Sequence, residues 1–221
     1  MENVKSIKFE FNWKEEFVFF PWFKTDPMNM RKPLVLVLML LSCTLGAFSQ
    51  KAALKTNLIS DAVTSPNLGV EFWLDPKWTM DISGQINAWN IHERRWRHWM
   101  VMPEARLWFC EAFQGSFLGL HVLGGQYNVG NINTKVKFLG SDFSQLKDHR
   151  FQGWAVGAGV GYGYDWILAK HWNLEFEIGV GWIYTRYDKY PCAVCGTVEE
   201  KDRLHNYFGP TKLSLAIEYI F

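Results

Sequence analysis

The sequence predicts an all-β protein, an eight-stranded antiparallel up-and-down β-barrel of the outer-membrane type with a polar, side-chain-filled interior. Three observations carry this: one long doubly alternating stretch, an export signal ahead of it, and a regular rhythm of short and long connections. The stretch opens Gly153-Trp-Ala-Val-Gly157-Ala-Gly159-Val-Gly161-Tyr-Gly163-Tyr164 and resumes at Trp172-Asn-Leu-Glu-Phe-Glu-Ile-Gly-Val-Gly-Trp182. Both halves alternate with period two, the signature of a strand. One face carries Trp154, Val156, Val160, Tyr162 and Tyr164, then Trp172, Leu174, Phe176, Ile178, Val180 and Trp182; the other carries glycine and carboxylates. Aromatics bracket an aliphatic centre, the pattern of a face turned to lipid.

The chain has 221 residues, 48% hydrophobic and 17% aromatic, with 12 Trp and a net charge of +1. Interfacial belts are one place where so much Trp and Tyr collects. The near-neutral balance gives no basis for a nucleic-acid partner. Met-Arg-Lys-Pro33 followed by the apolar run Leu34 to Leu41 and the small residues Ala47 and Ser49 reads as a secretory signal cut before Gln50. The apolar run is too short for a transmembrane helix, which needs about 20 residues. A rival reading takes Leu40-Leu41-Ser42-Cys43 as a lipoprotein box. Three segments result: residues 1–27 as a start assigned too far upstream or a disordered leader, 28–49 as signal peptide, and 50–221 as the barrel.

Eight strand candidates follow in order. Residues 52–59 alternate loosely, with Ala52, Leu54 and Leu58 opposite Lys55 and Asn57. Residues 68–74 set Leu68, Val70, Phe72 and Leu74 against Gly69, Glu71 and Trp73. After the Asp75-Pro76-Lys77 turn, residues 78–90 set Trp78, Met80, Ile82 and Ile86 against Asp81, Ser83, Gln85 and Asn87. Residues 91–98 read as a charged loop, and 99–109 set Val101, Ala105, Leu107 and Phe109 against Met102, Glu104, Arg106 and Trp108. Leu118, Leu120 and Val122 mark the fifth strand, with Gly119 and His121 behind. A long polar loop over 129–150 leads into the central hairpin, and a second over 191–205 leads to the last strand, 207–221. Connections after strands two, four and six are short, and those after three, five and seven are long, as in bacterial outer-membrane barrels. The last strand ends in Phe221, as in signals read by the barrel assembly machinery.

The stretches Leu54-Lys-Thr-Asn-Leu58, Pro66-Asn-Leu-Gly-Val-Glu71, Pro103-Glu-Ala-Arg-Leu-Trp-Phe109, Gly124-Gly-Gln-Tyr127, Leu146-Lys-Asp-His-Arg-Phe-Gln-Gly153 and Asn206-Tyr-Phe-Gly-Pro-Thr-Lys212 resemble a family of uncharacterised Bacteroidetes outer-membrane barrels, a domain of unknown function. The resemblance implies the barrel fold and brings no activity with it.

The predicted interior carries Lys55, Glu71, Asp81, Glu104, Arg106, His121, Asp165, Glu175, Glu177 and Glu218. An eight-stranded barrel is just wide enough for side chains to fill. Charges packed there must pair, because isolated buried charge is very costly. A salt-bridged plug centred on Glu104 and Arg106 is the expectation; acid–base work by His121 with a carboxylate is the alternative. The Gly157, Gly159, Gly161 and Gly163 series lacks the helix and acidic partner of a dinucleotide fingerprint, so it reads as room for neighbouring side chains. Cys192 and Cys195 read most simply as a loop disulfide, with a metal site or free thiols as alternatives. Arg94, Arg95 and Arg97 form a basic surface cluster suited to lipid phosphates, or a solvated loop.

No cofactor and no catalytic residue is expected. The functional expectation is a non-enzymatic membrane barrel whose surface loops bind a protein partner, in adhesion or surface assembly. A small enzyme acting on lipid or peptide at the barrel rim is the alternative, and a soluble lipocalin-type barrel is disfavoured by the inverted interior. Arginine is expected to be better tolerated at Asn173 than at Leu174.

Overall fold

A computed structural model describes residues 52–88, 90–91, 94–132, 137–138, 141–142, 146–191 and 197–221. Eight antiparallel strands form the wall: β1 (Ala52–Asn57), β2 (Asn67–Asp75), β3 (Trp78–Asn87), β4 (Arg94–Trp108), β5 (Gly115–Gly130), β6 (Arg150–Ala169), β7 (Trp172–Tyr190) and β8 (Glu200–Ile220). Each pairs with its sequence neighbour, and β1 pairs with β8 from Ala53↔Ile220 to Asn57↔Ala216, which closes the ring. Closure removes every full-length free edge, the liability of an open sheet. Among the described residues no helix is long and apolar enough to cross a membrane; crossing by strands is a separate matter.

The faces fall as the alternation requires. Leu120, Val160, Ile178 and Leu213 point outward and are exposed, Leu120 by 62%. Aromatic contacts such as Trp172–Tyr219 and Tyr164–Trp166 lie toward the short turns, and Trp154–Tyr184 toward the long connections. This apolar outer band around a polar interior inverts the arrangement of a water-soluble barrel.

Several boundaries differ from the sequence reading, each for a local reason. β1 stops at Asn57, whose side-chain oxygen accepts from the Ile59 N–H at 3.1 Å and caps a short helix, α1 (Leu58–Ala62). β3 ends at Asn87, three residues early. The segment read as a charged loop over 91–98 is strand from Arg94 onward, with Arg95↔Gly130 and Arg97↔Asn128 as ladder partners. β5 runs to Gly130, well past Leu123, and β8 begins at Glu200, inside the segment read as loop. In these extensions polar, charged or glycine residues stand on both faces, with only isolated apolar ones such as Trp96 and Leu204, so no alternation marks them. Their ladder partners make them strands.

The wall is uneven as a result. β1 and β2 have 6 and 9 residues, whereas β6, β7 and β8 have 20, 19 and 21. α1 fills the notch on the low side. Opposite the loop end, the buried ring cluster Trp108, Phe113 and Phe117 closes the barrel beside the short turns, with Trp108 and Phe117 centroids 4.7 Å apart.

Candidate functional site

The interior is a single layer of charge resting on that aromatic floor. Glu71, Asp81, Glu104, Arg106, His121, Asp165, Glu175, Glu177 and Glu218 are all buried, none more than 2% exposed. Arg106 sits at the centre. Its Nε donates to Glu104 Oε1 at 2.7 Å, Nη1 to Glu71 Oε2 at 2.6 Å and Glu175 Oε2 at 2.5 Å, and Nη2 to Glu175 Oε1 at 3.1 Å and Glu177 Oε2 at 3.0 Å. All five guanidinium donors, in their fixed fork, face four carboxylates from three strands. The guanidinium also lies 4.5 Å from the Phe117 ring centroid, tying charge layer to floor.

Two lysines complete the layer. Lys55 Nζ donates to Glu71 at 2.5 Å, Glu218 at 3.1 Å and Glu175 at 3.2 Å. Lys212 Nζ bridges Glu104 at 2.7 Å and Glu177 at 2.8 Å. Lys212 and Thr79 were absent from the sequence-derived interior set. Lys212 shares the inward parity of Ser214, Ala216 and Glu218, so alternation contained the signal. Thr79, between Trp108 Nε1 at 2.9 Å and the Glu71 carboxylate, shares the parity of Asp81.

Glycine placement explains how such large groups fit. Gly159 on β6 lies where an added Cβ would stand 2.6 Å from His121 Nε2, 2.6 Å from the Val180 carbonyl and 2.8 Å from Thr211 Oγ1. At Gly163 a Cβ would meet the Phe117 ring. The glycine face is therefore the recess that receives His121, Thr211 and the aromatic floor. Thr211 reaches it because β8 bulges there: Gly179 pairs with Lys212 and Val180 with Pro210, which leaves Thr211 unpaired and turned inward. Its Oγ1 lies 2.8 Å from His121 Nε2, and His121 Nδ1 lies 3.5 Å from Glu104 Oε2.

Above the charge layer, toward the loop end, lies a cavity of about 200 Å³. Lys55, Asp81, Arg106, Glu175 and Lys212 form its base, while Asn57, Ser60, Asn67, Ser83 and Gln85 rise around it from β1, α1, β2 and β3. Asp165 lies on the opposite side, where its Oδ2 accepts from Asn173 Nδ2 at 2.7 Å; the same amide donates to the Phe113 carbonyl at 2.9 Å.

The remaining sequence candidates do not join this layer. Arg95 and Arg97 stand on the loop-end extension of β4, half-buried and each engaged by neighbours. Arg94 starts the same strand. Cys192 and Cys195 lie outside the described residues, and Cys110 is an exposed free thiol.

Apolar outside, charge-filled inside and closed by antiparallel pairing, the chain is a β-barrel of the outer-membrane type. It belongs to the family described as protein of unknown function (DUF3575), which matches residues 34–221. Among solved structures it is similar to the crystal structure of Neisserial surface protein A (NspA), with 16% identity over 78% of this chain and 94% of that one, at a TM-score of 0.35. No curated protein matches the chain.

Proposed function

We propose that the chain is an integral outer-membrane protein that, after loss of an N-terminal signal, presents its long connections at the cell surface to a protein partner, without chemistry of its own. Adhesion and surface assembly are the roles this architecture suits. The observation that carries the reading is the height of β6–β8. Strands of 19 to 21 residues far exceed the roughly 9–11 needed to cross a bilayer, so their loop ends stand in water as a rigid polar wall. That wall is internally braced: Tyr127 Oη meets Thr185 Oγ1 at 2.6 Å, and Arg186 pairs with Asp202. A braced platform loses less entropy when a partner docks. Outer-membrane lipid surrounds the band below, and the C-terminal strand with Phe221, 70% exposed, just beyond it is the segment read by the assembly machinery. Nucleic acid has no part in this reading.

The test is capture of a defined partner from intact envelopes by barrels lacking residues 131–149 or 191–199. Heat-modifiable migration checks that each variant is folded. Unchanged capture by both folded deletions would sink the platform reading.

One observation favours a second reading, an enzyme acting on lipid or peptide. Thr211, His121 and Glu104 stand in the order of nucleophile, base and orienting carboxylate, with the nucleophile bordering the cavity. The platform remains preferred because Glu104 is already held by Arg106 and Lys212. Ester hydrolysis by the folded barrel, lost in both Thr211→Val and His121→Ala, would reverse that order.

A further inference from the structure

We propose that the lipid leaflet around the loop end dips at the low side of the wall, so that its headgroups, with their water, meet Asp61 of α1. This rests on the reading that the apolar outer band lies in lipid, and the test below separates the two. The first argument is wall height. A strand needs about 9–11 residues to cross a bilayer. β1 has 6 and β2 has 9, against 19 and 21 in β7 and β8. Only Ala52, Leu54 and Thr56 of β1 point outward. β1 pairs with β8 from Ile220 to Ala216, and among the described residues β8 has no ladder partner on that side above Ala216. The outward stripe of β8 nevertheless continues through Leu213 and Phe208, 51% and 65% exposed.

The second argument is the polarity of the surface where β1 stops. Thr56 stands opposite Ile217 of that β8 stripe. Its hydroxyl donates to Asp61 Oδ2 at 2.7 Å, and Asn67 Nδ2 donates to Asp61 Oδ1 at 2.9 Å. Asp61 is exposed, and it does not border the interior cavity that its neighbour Ser60 lines, so its carboxylate looks outward. From Ile217 to Phe208 the stripe rises by roughly 20 Å, at about 3.3 Å per residue and a tilt of about 40°. A bilayer of uniform thickness matched to β8 would therefore bury Asp61 and the irregular 63–66 segment in hydrocarbon. Charge is costly at that depth, and lipid-exposed irregular backbone does not occur there. Bilayers answer a short apolar wall by thinning.

The surface of α1 fits a sunken headgroup layer. Leu58 and Val63, 41% and 55% exposed, and the exposed Ala62 stand beside Asp61, an apolar surface for acyl chains with a carboxylate at its edge. Both oxygens of Asp61 already accept a bond from within the chain, so the site calls for a polar medium rather than for a donor on another protein.

Spin labelling of the full barrel in phosphatidylcholine vesicles tests this, in a background with its own cysteines changed to serine. One label goes on Ala62→Cys, beside Asp61, and one on Leu120→Cys, between Leu118 and Val122 in the outward stripe of β5 on the far wall. Heat-modifiable migration checks folding, and Val63→Cys takes the place of Ala62→Cys if that variant does not fold. Collision with a water-soluble nickel chelate should be several-fold more frequent at residue 62 than at residue 120, whereas oxygen, which concentrates in hydrocarbon, should favour residue 120. Equal shielding of both labels from nickel overturns the proposal and leaves the lipid-facing band standing. Nickel access at both overturns the proposal and the band together. Access at residue 62 in vesicles but shielding from nickel and oxygen alike in native envelopes shows a protein seated there, and overturns the lipid assignment.

Discussion

Replacing Arg106 with methionine tests whether the charge layer holds the barrel together. The substitution keeps an unbranched side chain of similar reach and removes five hydrogen bonds to Glu71, Glu104, Glu175 and Glu177. Those carboxylates stay buried, with Lys55 and Lys212 as the remaining cations. Breaking a buried pair from one side costs about 3–5 kcal/mol, because the partner is left charged and dry. Four stranded partners place Arg106→Met at the upper end of that range. Urea titration in lipid vesicles, followed by tryptophan fluorescence, should show the midpoint fall at unchanged slope. Arg106→Lys should recover part of the loss, since an ammonium has three donors and no planar fork. The penalty should also shrink as pH falls. With Arg106 gone, the folded state takes up more protons than the unfolded one relative to wild type, so acid favours folding. A loss under about 1 kcal/mol, the size of a surface ion pair, would refute the central role given to Arg106.

Gly159→Ala should destabilise by about 1–3 kcal/mol through overpacking, because the new methyl meets the Val180 carbonyl as well as His121 and Thr211. Gly124→Ala, with nothing within 4 Å, should stay within about 0.5 kcal/mol; equal losses at the two sites would count against the recess. Ile178→Arg on the outer face should cost about 2–4 kcal/mol in bilayers if it sits at mid-depth, and no loss there would place that face in water. Mass spectrometry of untreated envelopes should find Cys192 and Cys195 oxidised; stoichiometric zinc or two free thiols would remove the disulfide. Cys192→Ser with Cys195→Ser should then leave assembly intact and weaken loop-dependent capture.

Asn173 shows where sequence reasoning stopped short. As an inward polar residue it was expected to accept arginine more readily than Leu174. In the structure it is 2% exposed, with its amide shared between Asp165 and the Phe113 carbonyl, so it is no open site. Inward and polar does not mean solvated when the interior is packed.

The sequence by itself determined the strand number, the order of the ring and which residues face inward. Period-two alternation is a local property, and a lipid-facing band imposes it on each crossing separately. Glu104, Arg106, His121, Glu175 and Glu177 were therefore legible as interior residues one strand at a time. Tertiary structure decided what alternation does not encode. Strand length beyond the apolar band depends on a ladder partner, which is why Arg94, Arg95 and Arg97 became strand. The inward turn of Thr211 depends on a bulge against β7, and the fit of His121 depends on a glycine one strand away. The same holds for Asp81. Its parity places it in the lumen, but its ion-pair partner is Lys55 of β1, whose Nζ reaches past β2 to lie 3.4 Å from its Oδ1. Which cation meets which carboxylate is a matter of geometry between strands, and no single strand contains it.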